Sequence, residues 1–405
     1  MRILFLSENF PPETNAAATR VHERAVHWVQ WGHQVTVITS WPNFPQGRLY
    51  PGYRNLWRGV ETRDGIRVVR VKTFIAANKG RGLKGAVLRG LDFVSFMIAA
   101  VVAALFERRP DVVAATSPQF FAAVAGWLVG ALRRVPFVFE LGDIWPASIV
   151  GVGAMRRNLA LALMEKLELF LYRRAARVVA LTQAFKANLT RRGIDPDKIA
   201  VVRNGVDLAR YAPRPRDEAL AAEWGLAGAF VLGYVGTHGM AHGLMNVLDA
   251  AERLRDRPDI CFLLVGDGAE RAQLLAEVER RTLANVRMIG PQPKDMMPRI
   301  WSLCDVALVH LRDSLVFAEV IPSKIFEAMG MGRPILLALP AGEAKEIVEA
   351  DRAGIWVPPE NPAALADAAR RLADDRPLRE RLAAAAHAAA PLHSRQAQAA
   401  DMLKV

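Results

Sequence analysis

Glu319 and Glu327 stand with seven residues between them in "FAEVIPSKIFEAMGMGRPIL", and Pro322, Ser323 and Lys324 lie in that interval. The apolar run "DVALVHL" reads as a strand leading into a loop that holds Glu319, after which Pro322 and Ser323 start a helix. Proline in a first helical turn forfeits no hydrogen bond, because the N–H groups there have no intrahelical partner. Ser323 is placed to cap that helix, and Lys324 adds a full positive charge beside its free N–H groups, an arrangement that suits phosphate. Glu327, about one turn in, is placed to accept hydrogen bonds from neutral hydroxyls such as those of a ribose. A glutamate near a helix start also stabilises the helix dipole by about 0.3–1 kcal/mol. That accounts for Glu327 and leaves Glu319 without a structural role.

Three other strand-to-loop junctions have unusual composition. In "SENFPPETNAAATR" the backbone around Asn15 and Ala16 opens a helix toward an anion, although the paired glycines of a phosphate loop are absent. In "GYVGTHGMAHG", Gly236, Thr237, His238 and Gly239 make a tight turn where backbone can approach phosphate closely, and His238 and His242 lie one helical turn apart. "LLVGDGAER" repeats the arrangement, with Gly266 and Gly268 at its turn. The literal D-x-D, Asp195 to Asp197, reads as turn chemistry, so no metal site is expected.

Short runs rich in Val and Ile alternate with longer helical patterns along the whole chain, the pattern of parallel sheets covered on both faces. Seven such runs precede residue 205 and six follow it, from "FVLGYVG" to "GIWVPP". The expected fold is α/β, two doubly wound Rossmann-like domains facing across a cleft that receives the ligand at the carboxyl ends of the strands. The boundaries expected are 1–205 for an N-terminal domain, 206–390 for a C-terminal one, and 391–405 for a terminal helix that packs back on the first. The linker is expected at 206–222, where Pro213 and Pro215 interrupt any helix.

At 405 residues the chain is long enough for two cores, and 52% hydrophobic with 23% charged residues is a globular balance that excludes disorder. Its two cysteines, Cys261 and Cys304, sit in apolar runs, which points to buried thiols in a reducing compartment. "MRILFLSENF" reads as a first strand rather than a signal peptide. The net charge of +12 is concentrated in the first half: residues 1–210 carry 30 Lys and Arg against 15 Asp and Glu, the remainder 23 against 26. Arg108/Arg109 and Arg133/Arg134 follow apolar stretches directly, so an anionic membrane surface is the expected partner of the basic half. Nucleic acid is not expected, since no helix-turn-helix, zinc-finger spacing or RNP-like aromatic motif accompanies the charge. "FVSFMIAAVVAALF", residues 93–106, is shorter than the roughly 20 residues that cross a bilayer and reads as a buried or membrane-surface helix.

At this point the motifs resemble a family. "EVIPSKIFE" is similar to the paired-glutamate E-x7-E motif of retaining family 4 glycosyltransferases, whose two-domain fold is called GT-B. The resemblance extends over nearly the whole chain through "PPET", "GHQVTVIT", "PNFPQG", "DGIRVVRV", "GDIWPASI", "VVRNGVD", "GTHGMAHGL" and "VGDGAER". It is greatest for the branch with bacterial O-antigen and capsule enzymes of the fucosamine-transferase type, which act on lipid-linked sugars. The resemblance implies a nucleotide-sugar donor, a UDP-sugar above others, a lipid-linked saccharide acceptor, and a cytoplasmic protein peripheral to the inner face of the cell membrane. It implies no cofactor beyond the nucleotide sugar as substrate.

By position, the resemblance assigns Glu319 to the donor sugar hydroxyls, Lys324 and the amides before it to the diphosphate, and Glu327 to the ribose. Asn15 and Ala16 match the first loop approaching the diphosphate, Asn204 and Gly205 the "NGVD" signature, and the backbone near Ile289 the base. Relatives often carry Arg and Lys at the positions of Thr237 and His242, so His238, His242, Lys324 and Arg203 are the residues available to replace those cations. Where relatives often place a His, this chain has Gly142, which leaves Asp143 as the polar candidate at the reacting centre and Glu140 as a second. The competing readings are an epimerase or hydrolase of nucleotide sugars on the same fold, and a non-catalytic membrane-docking subunit.

Overall fold

The computed structural model describes residues 1–405 apart from Thr14, Pro45, 76–82, Pro118, Gln119 and 145–158. The chain divides into two compact units, residues 1–204 with 398–405, and residues 205–397. In the first, the Val- and Ile-rich runs form β1 (Arg2–Leu6), β2 (Gln34–Ser40), β4 (Ile66–Val71), β5 (Val112–Thr116), β6 (Phe137–Leu141), β7 (Arg177–Ala180) and β8 (Ile199–Val201), all parallel. An eighth strand, β3 (Arg58–Arg63), pairs antiparallel with β4, and the sheet order is β3-β4-β2-β1-β5-β6-β7-β8. β3 lies outside the expected strands, because its exposed residues alternate with half-buried ones and give no apolar run. Its signal is the turn: Asp64 (φ 50°) and Gly65 (φ 77°) form a two-residue hairpin of the kind Asp-Gly favours.

The second unit has β9 (Phe230–Val235), β10 (Ile260–Val265), β11 (Val286–Ile289), β12 (Val306–His310), β13 (Ile335–Ala338) and β14 (Gly354–Val357), parallel throughout in the order β11-β10-β9-β12-β13-β14. Strand order reverses between β1 and β5 in one sheet and between β9 and β12 in the other. Those are the switch points where open α/β sheets leave a crevice beyond the strand ends.

Helix α1 (Ala16–Gln30) covers one face of the first sheet, with Val21, Ala25 and Trp28 in the core. Helices α2 (Leu83–Leu105) and α3 (Phe120–Arg133) cover the other. Small residues allow α2 and α3 to come close, and Gly126 of α3 admits the ring of Phe137, which a methyl group there would meet at 2.6 Å. At 23 residues α2 is longer than the expected apolar segment, and Val87–Leu105 is long and apolar enough to cross a membrane by length and composition. Its buried face, with Phe96, Ala100 and Ala104, belongs to the core.

The polar interior of the first unit includes an ion triad. Arg20 and Arg24, one turn apart on α1, meet Glu140 on β6: Arg24 donates to both carboxylate oxygens at 2.8 Å, and Arg20 Nε lies 3.0 Å away. Burial would raise the Glu140 carboxyl, but the charges of Arg24 and Arg20, with hydrogen bonds from Arg24 and Thr116, hold it down at about 2. Glu140, the second candidate for the reacting centre, is thus committed to holding α1 on the sheet.

The segment expected as linker is built into the second unit. Tyr211 is buried, and Arg216 donates to the carbonyls of Leu303 and Leu226 at 2.8 Å, which anchors 206–222 against the unit. Gly205 passes so near the returning chain that a methyl group there would sit 2.5 Å from the Ser394 carbonyl. The last helix, Arg395–Leu403, carries Ala399 and Met402 into the first core, and Ala399 accepts a hydrogen bond from Trp28 Nε1 at 2.9 Å.

Glu140→Gln is expected to lower stability by about 3–5 kcal/mol at neutral pH, since it leaves two buried guanidinium groups against a neutral amide. Because the folded carboxyl titrates below its unfolded value, its stabilisation is complete above about pH 4.5 and is lost as pH falls toward about 2. Urea unfolding at several pH values should show that acid slope in the natural protein and a flatter one in the variant.

Candidate functional site

The switch point of the second sheet is where chemistry-bearing side chains collect. β9 ends at Val235 and turns at Gly236, whose φ of 146° is a conformation side chains rarely adopt. A methyl group there would lie 2.7 Å from Lys324 Cε, so glycine gives the lysine its space. The neighbouring β10 turn is as tight: a methyl group at Gly266 would meet the Gly236 carbonyl at 1.9 Å, and one at Gly268 the His238 carbonyl at 2.4 Å. The two turns are tied by His238 N–H to the Asp267 carbonyl at 2.8 Å and Glu270 N–H to the His238 carbonyl at 2.9 Å. Thr237, exposed, accepts from the Tyr234 hydroxyl through its carbonyl at 2.7 Å.

Lys324 comes in from the helix Lys324–Gly330 and lays its ammonium 3.5 Å from the centre of the Tyr234 ring. It makes no ion pair among the described residues, and its contact with the ring is a cation–π interaction. Burial lowers its pKa to about 7, against a smaller opposing effect from Glu327. A cation that gives up hydration without gaining a carboxylate is a site prepared for an anion.

The histidines around it are neutral. His238 is fully buried, neither ring nitrogen has a hydrogen-bond partner among the described residues, and burial, Arg271 and Lys324 lower its pKa to about 4. Burial and Lys324 bring His242 to about 4 as well. The expectation that these rings replace missing cations is therefore corrected: each offers one N–H, and the cationic side chains near them are Lys324 and, beside His238, Arg271. Behind His242 stands His310 at the end of β12. Its Nδ1 lies 2.7 Å from the His242 carbonyl and so carries the proton, while its Nε2 accepts from Asn246 Nδ2 at 2.7 Å.

Ser323 does not cap its helix. Its backbone is already helical (φ −61°, ψ −23°) and its hydroxyl makes no capping bond, so that expectation is also corrected. The helix has only seven residues, and the ammonium rather than a long dipole supplies the field. Glu327 accepts from the indole N–H of buried Trp301 at 3.1 Å, which orients its carboxylate. Glu319 follows the short helix Leu315–Ala318, half-buried, with no hydrogen bond or ion pair to its carboxylate among the described residues. Ile289 closes β11, and its carbonyl accepts from Gly266 N–H at 3.0 Å.

In the first unit, Asn15 caps α1 by accepting from Ala18 N–H at 2.9 Å, and Ala16 is exposed at the first helical position. The "PPET" and "PNFPQG" motifs meet through Glu13, whose buried carboxylate accepts from the N–H groups of Asn43 and Phe44 at 2.8 Å. Asp143 is half-buried just beyond β6. Gly142 beside it has no room for a side chain, since a methyl group would lie 2.4 Å from the Ser117 carbonyl and 2.8 Å from Arg20 Nη2. Residues 145–149 of "GDIWPASI" lie outside the described residues. Arg203 follows β8, and Asn204 Oδ1 accepts from Gln398 at 3.5 Å. Asp195 caps its own turn by accepting from Asp197 N–H at 3.0 Å.

The second unit thus brings together Gly236, His238, His242, Gly266, Gly268 and Lys324, with Glu327 attached through Trp301. Tyr234, Asn246, Arg271, Trp301 and His310 are additions of the fold. Of these, His310 closes an apolar strand as a polar residue, and Tyr234 and Arg271 stand inside the two glycine-turn motifs, whereas Asn246 and Trp301 left no trace in the sequence.

Comparison with known proteins gives the same two halves. A family model for the glycosyl transferase 4-like domain matches residues 15–205, and one for glycosyl transferases group 1 matches residues 229–375. The chain is 24% identical over 340 residues to the putative colanic acid biosynthesis glycosyl transferase WcaI of Escherichia coli, covering 82% of each. It is 28% identical over 304 residues to the probable glycosyltransferase WbjE of Pseudomonas aeruginosa, covering 72% of this chain and 73% of that one. A GDP-mannose-dependent alpha-mannosyltransferase of Mycobacterium tuberculosis is 27% identical over 361 residues, 88% of this chain and 84% of its own. Among solved structures, Anabaena HepE in complex with UDP and glucose superposes with a TM-score of 0.71 at 22% identity, over 99% of both chains.

Because Lys324 is half neutral near pH 7 and an anion favours its charged form, pyrophosphate affinity, corrected for the ligand's own titration, is expected to fall about tenfold per pH unit above 7. Below about pH 6 the affinity should level off, since the histidines stay neutral to about 4. Calorimetry on Lys324→Gln should show weak binding without that slope.

Proposed function

This chain belongs to the family 4 glycosyltransferases of the GT-B fold, and we propose that it moves a sugar from a nucleotide-diphosphate donor to a lipid-linked saccharide in bacterial surface polysaccharide synthesis. The observation that carries the donor reading is the Lys324 ammonium, without an ion pair among the described residues, at the switch point of a parallel sheet. A UDP-sugar is the donor proposed, supported by the UDP held in a protein of the same fold. The acceptor reading draws on the polysaccharide role named for a relative, and puts the protein at the inner face of the cell membrane.

In this reading the diphosphate lies against Lys324, with backbone of the Gly236 and Gly266 turns and a neutral N–H of His238 as further donors. Glu319 accepts hydrogen bonds from the donor sugar, and Glu327, oriented by Trp301, from the ribose. Asp143 contacts the substrates at the reacting centre, and Asn15, Ala16, Arg203 and Asn204 take the donor contacts of the first unit. The bond from sugar C1 to the β-phosphate oxygen breaks as a bond from C1 to the acceptor oxygen forms on the same face. The acceptor's proton passes to the departing phosphate, and the anomeric configuration is retained. Preorganised positive charge where the leaving phosphate gains negative charge lowers the barrier, because that charge needs no reorganisation as the bond breaks. The chemistry calls for no metal ion.

Glu327→Ala is expected to weaken UDP binding on the order of tenfold or more, as loss of hydrogen bonds to a charged acceptor implies, while Glu319→Gln lowers kcat and leaves nucleotide affinity nearly unchanged. Calorimetry and transfer assays separate the two, and equal nucleotide affinity in natural protein and Glu327→Ala would refute the ribose assignment. Chelator is expected to leave transfer intact; loss restored by magnesium would reject the metal-free reading. A binding screen of UDP-, GDP- and TDP-sugars tests the donor, and conversion of donor without acceptor would favour an epimerase or hydrolase.

A further inference from the structure

We propose that the C-terminal end of α2 docks the first unit onto an anionic lipid leaflet, with Trp57 and Phe106 entering the headgroup region. The buried face of α2 packs on the sheet and α3, while Val87, Leu91, Ile98 and Leu105 are exposed at intervals of four and seven residues, a single stripe along the helix. The stripe runs into Phe106, 76% exposed, and across a groove of about 310 Å³ from it stands Trp57, 64% exposed. Arg133 closes the end of α2 by donating to the carbonyls of Ala104 and Leu105 at 2.9 Å and to that of Glu107, which brings exposed Leu132 alongside.

The unpaired charges around this apolar surface are arginines, and Asp111 beyond Arg109 is paired with Arg2 at 3.4 Å. The buried carboxylate of this surface, Glu107, is neutralised by Arg58 at 2.5 Å and Arg67 at 2.9 Å. Arg108, Arg109 and Arg134 are exposed and make no ion pair among the described residues. Aromatic and aliphatic side chains ringed by arginine match a leaflet of anionic headgroups over acyl chains. A second copy of this chain fits less well, because a two-fold contact would set the same arginines against each other. With one face built into the protein core, α2 lies along the membrane plane rather than across it.

The inference deepens the lipid-linked acceptor reading and rests on it only for its purpose, so the two can fail separately. The experiment is flotation of the full chain with phosphatidylcholine vesicles containing about one-third phosphatidylglycerol, at low and high salt, for the natural protein, Trp57→Ser/Phe106→Ser and Arg108→Gln/Arg109→Gln. The natural protein is expected to bind these vesicles, to bind pure phosphatidylcholine far less, and to be released by salt. The arginine pair should lose on the order of tenfold or more in partitioning, and the aromatic pair a similar factor, with pyrophosphate affinity at Lys324 unchanged in both. Equal flotation of variants and natural protein would overturn this surface and leave a membrane-borne acceptor standing. No flotation of the natural protein at low salt would overturn the docking, while transfer to a detergent-solubilised lipid-linked acceptor would still uphold the acceptor reading. Conversion of a dimer to a monomer by the aromatic pair, in sedimentation velocity, would assign the patch to a second copy and overturn the proposal.

Discussion

A lysine ammonium pressed against the face of Tyr234, with no ion pair among the described residues, constrains much of the second unit. The arrangement requires glycine at 236, because any side chain there would occupy the lysine's place. It requires Gly266 and Gly268, because the β9 and β10 turns must nest to frame the site. It also shapes the protonation of its surroundings: the same burial that lowers Lys324 to about 7 keeps His238 and His242 neutral. A desolvated cation among neutral donors costs stability, and in the proposed function a bound anion would offset that cost. Stability is thus set against binding within one cluster.

The first unit uses buried charge differently. Arg20, Arg24 and Glu140 pair their charges with one another in the interior and so fasten α1 to β6. Glu13 does the same for the loops after β1 and β2. Both carboxylates are as buried as any functional group of the second unit, and what separates structural from functional polarity is whether the partners are already present. By that criterion Lys324, His238 and Glu319, whose polar side-chain atoms have no ion pair or hydrogen bond among the described residues, are the candidates for ligand contact, while Glu140 and Glu13 already have their partners.

Electrostatics also bears on the proposed reaction. In the proposed reaction, loss of a sugar from a diphosphate would place negative charge beside Lys324, and the protonated fraction of that ammonium acts more strongly in a low-dielectric setting than a solvated cation would. Neutral histidines suit such a site, since they donate hydrogen bonds without raising the charge the fold must bury. Trp301 and His310 serve through others, the first by aiming Glu327 and the second by bracing the His242 backbone.

Much of this was legible without coordinates. The alternation of apolar runs and helical patterns identified thirteen of the fourteen strands among the described residues, since strands buried on both faces must be continuously apolar. The missing one, β3, has one half-buried and one exposed face and showed itself only through its Asp-Gly turn. The E-x7-E spacing, the glycine turns and the basic surplus of the first half are properties of the chain itself, and they sufficed for the family and fold. Tertiary structure decided what depends on neighbours: that Ser323 does not cap, that Glu140 is a strut, that the histidines are uncharged, that 206–222 is built in rather than free, and that Trp301 holds Glu327. Spacing is inherited directly from sequence, whereas protonation and pairing follow from burial and from residues distant in the chain, so those features appeared only once the chain was folded.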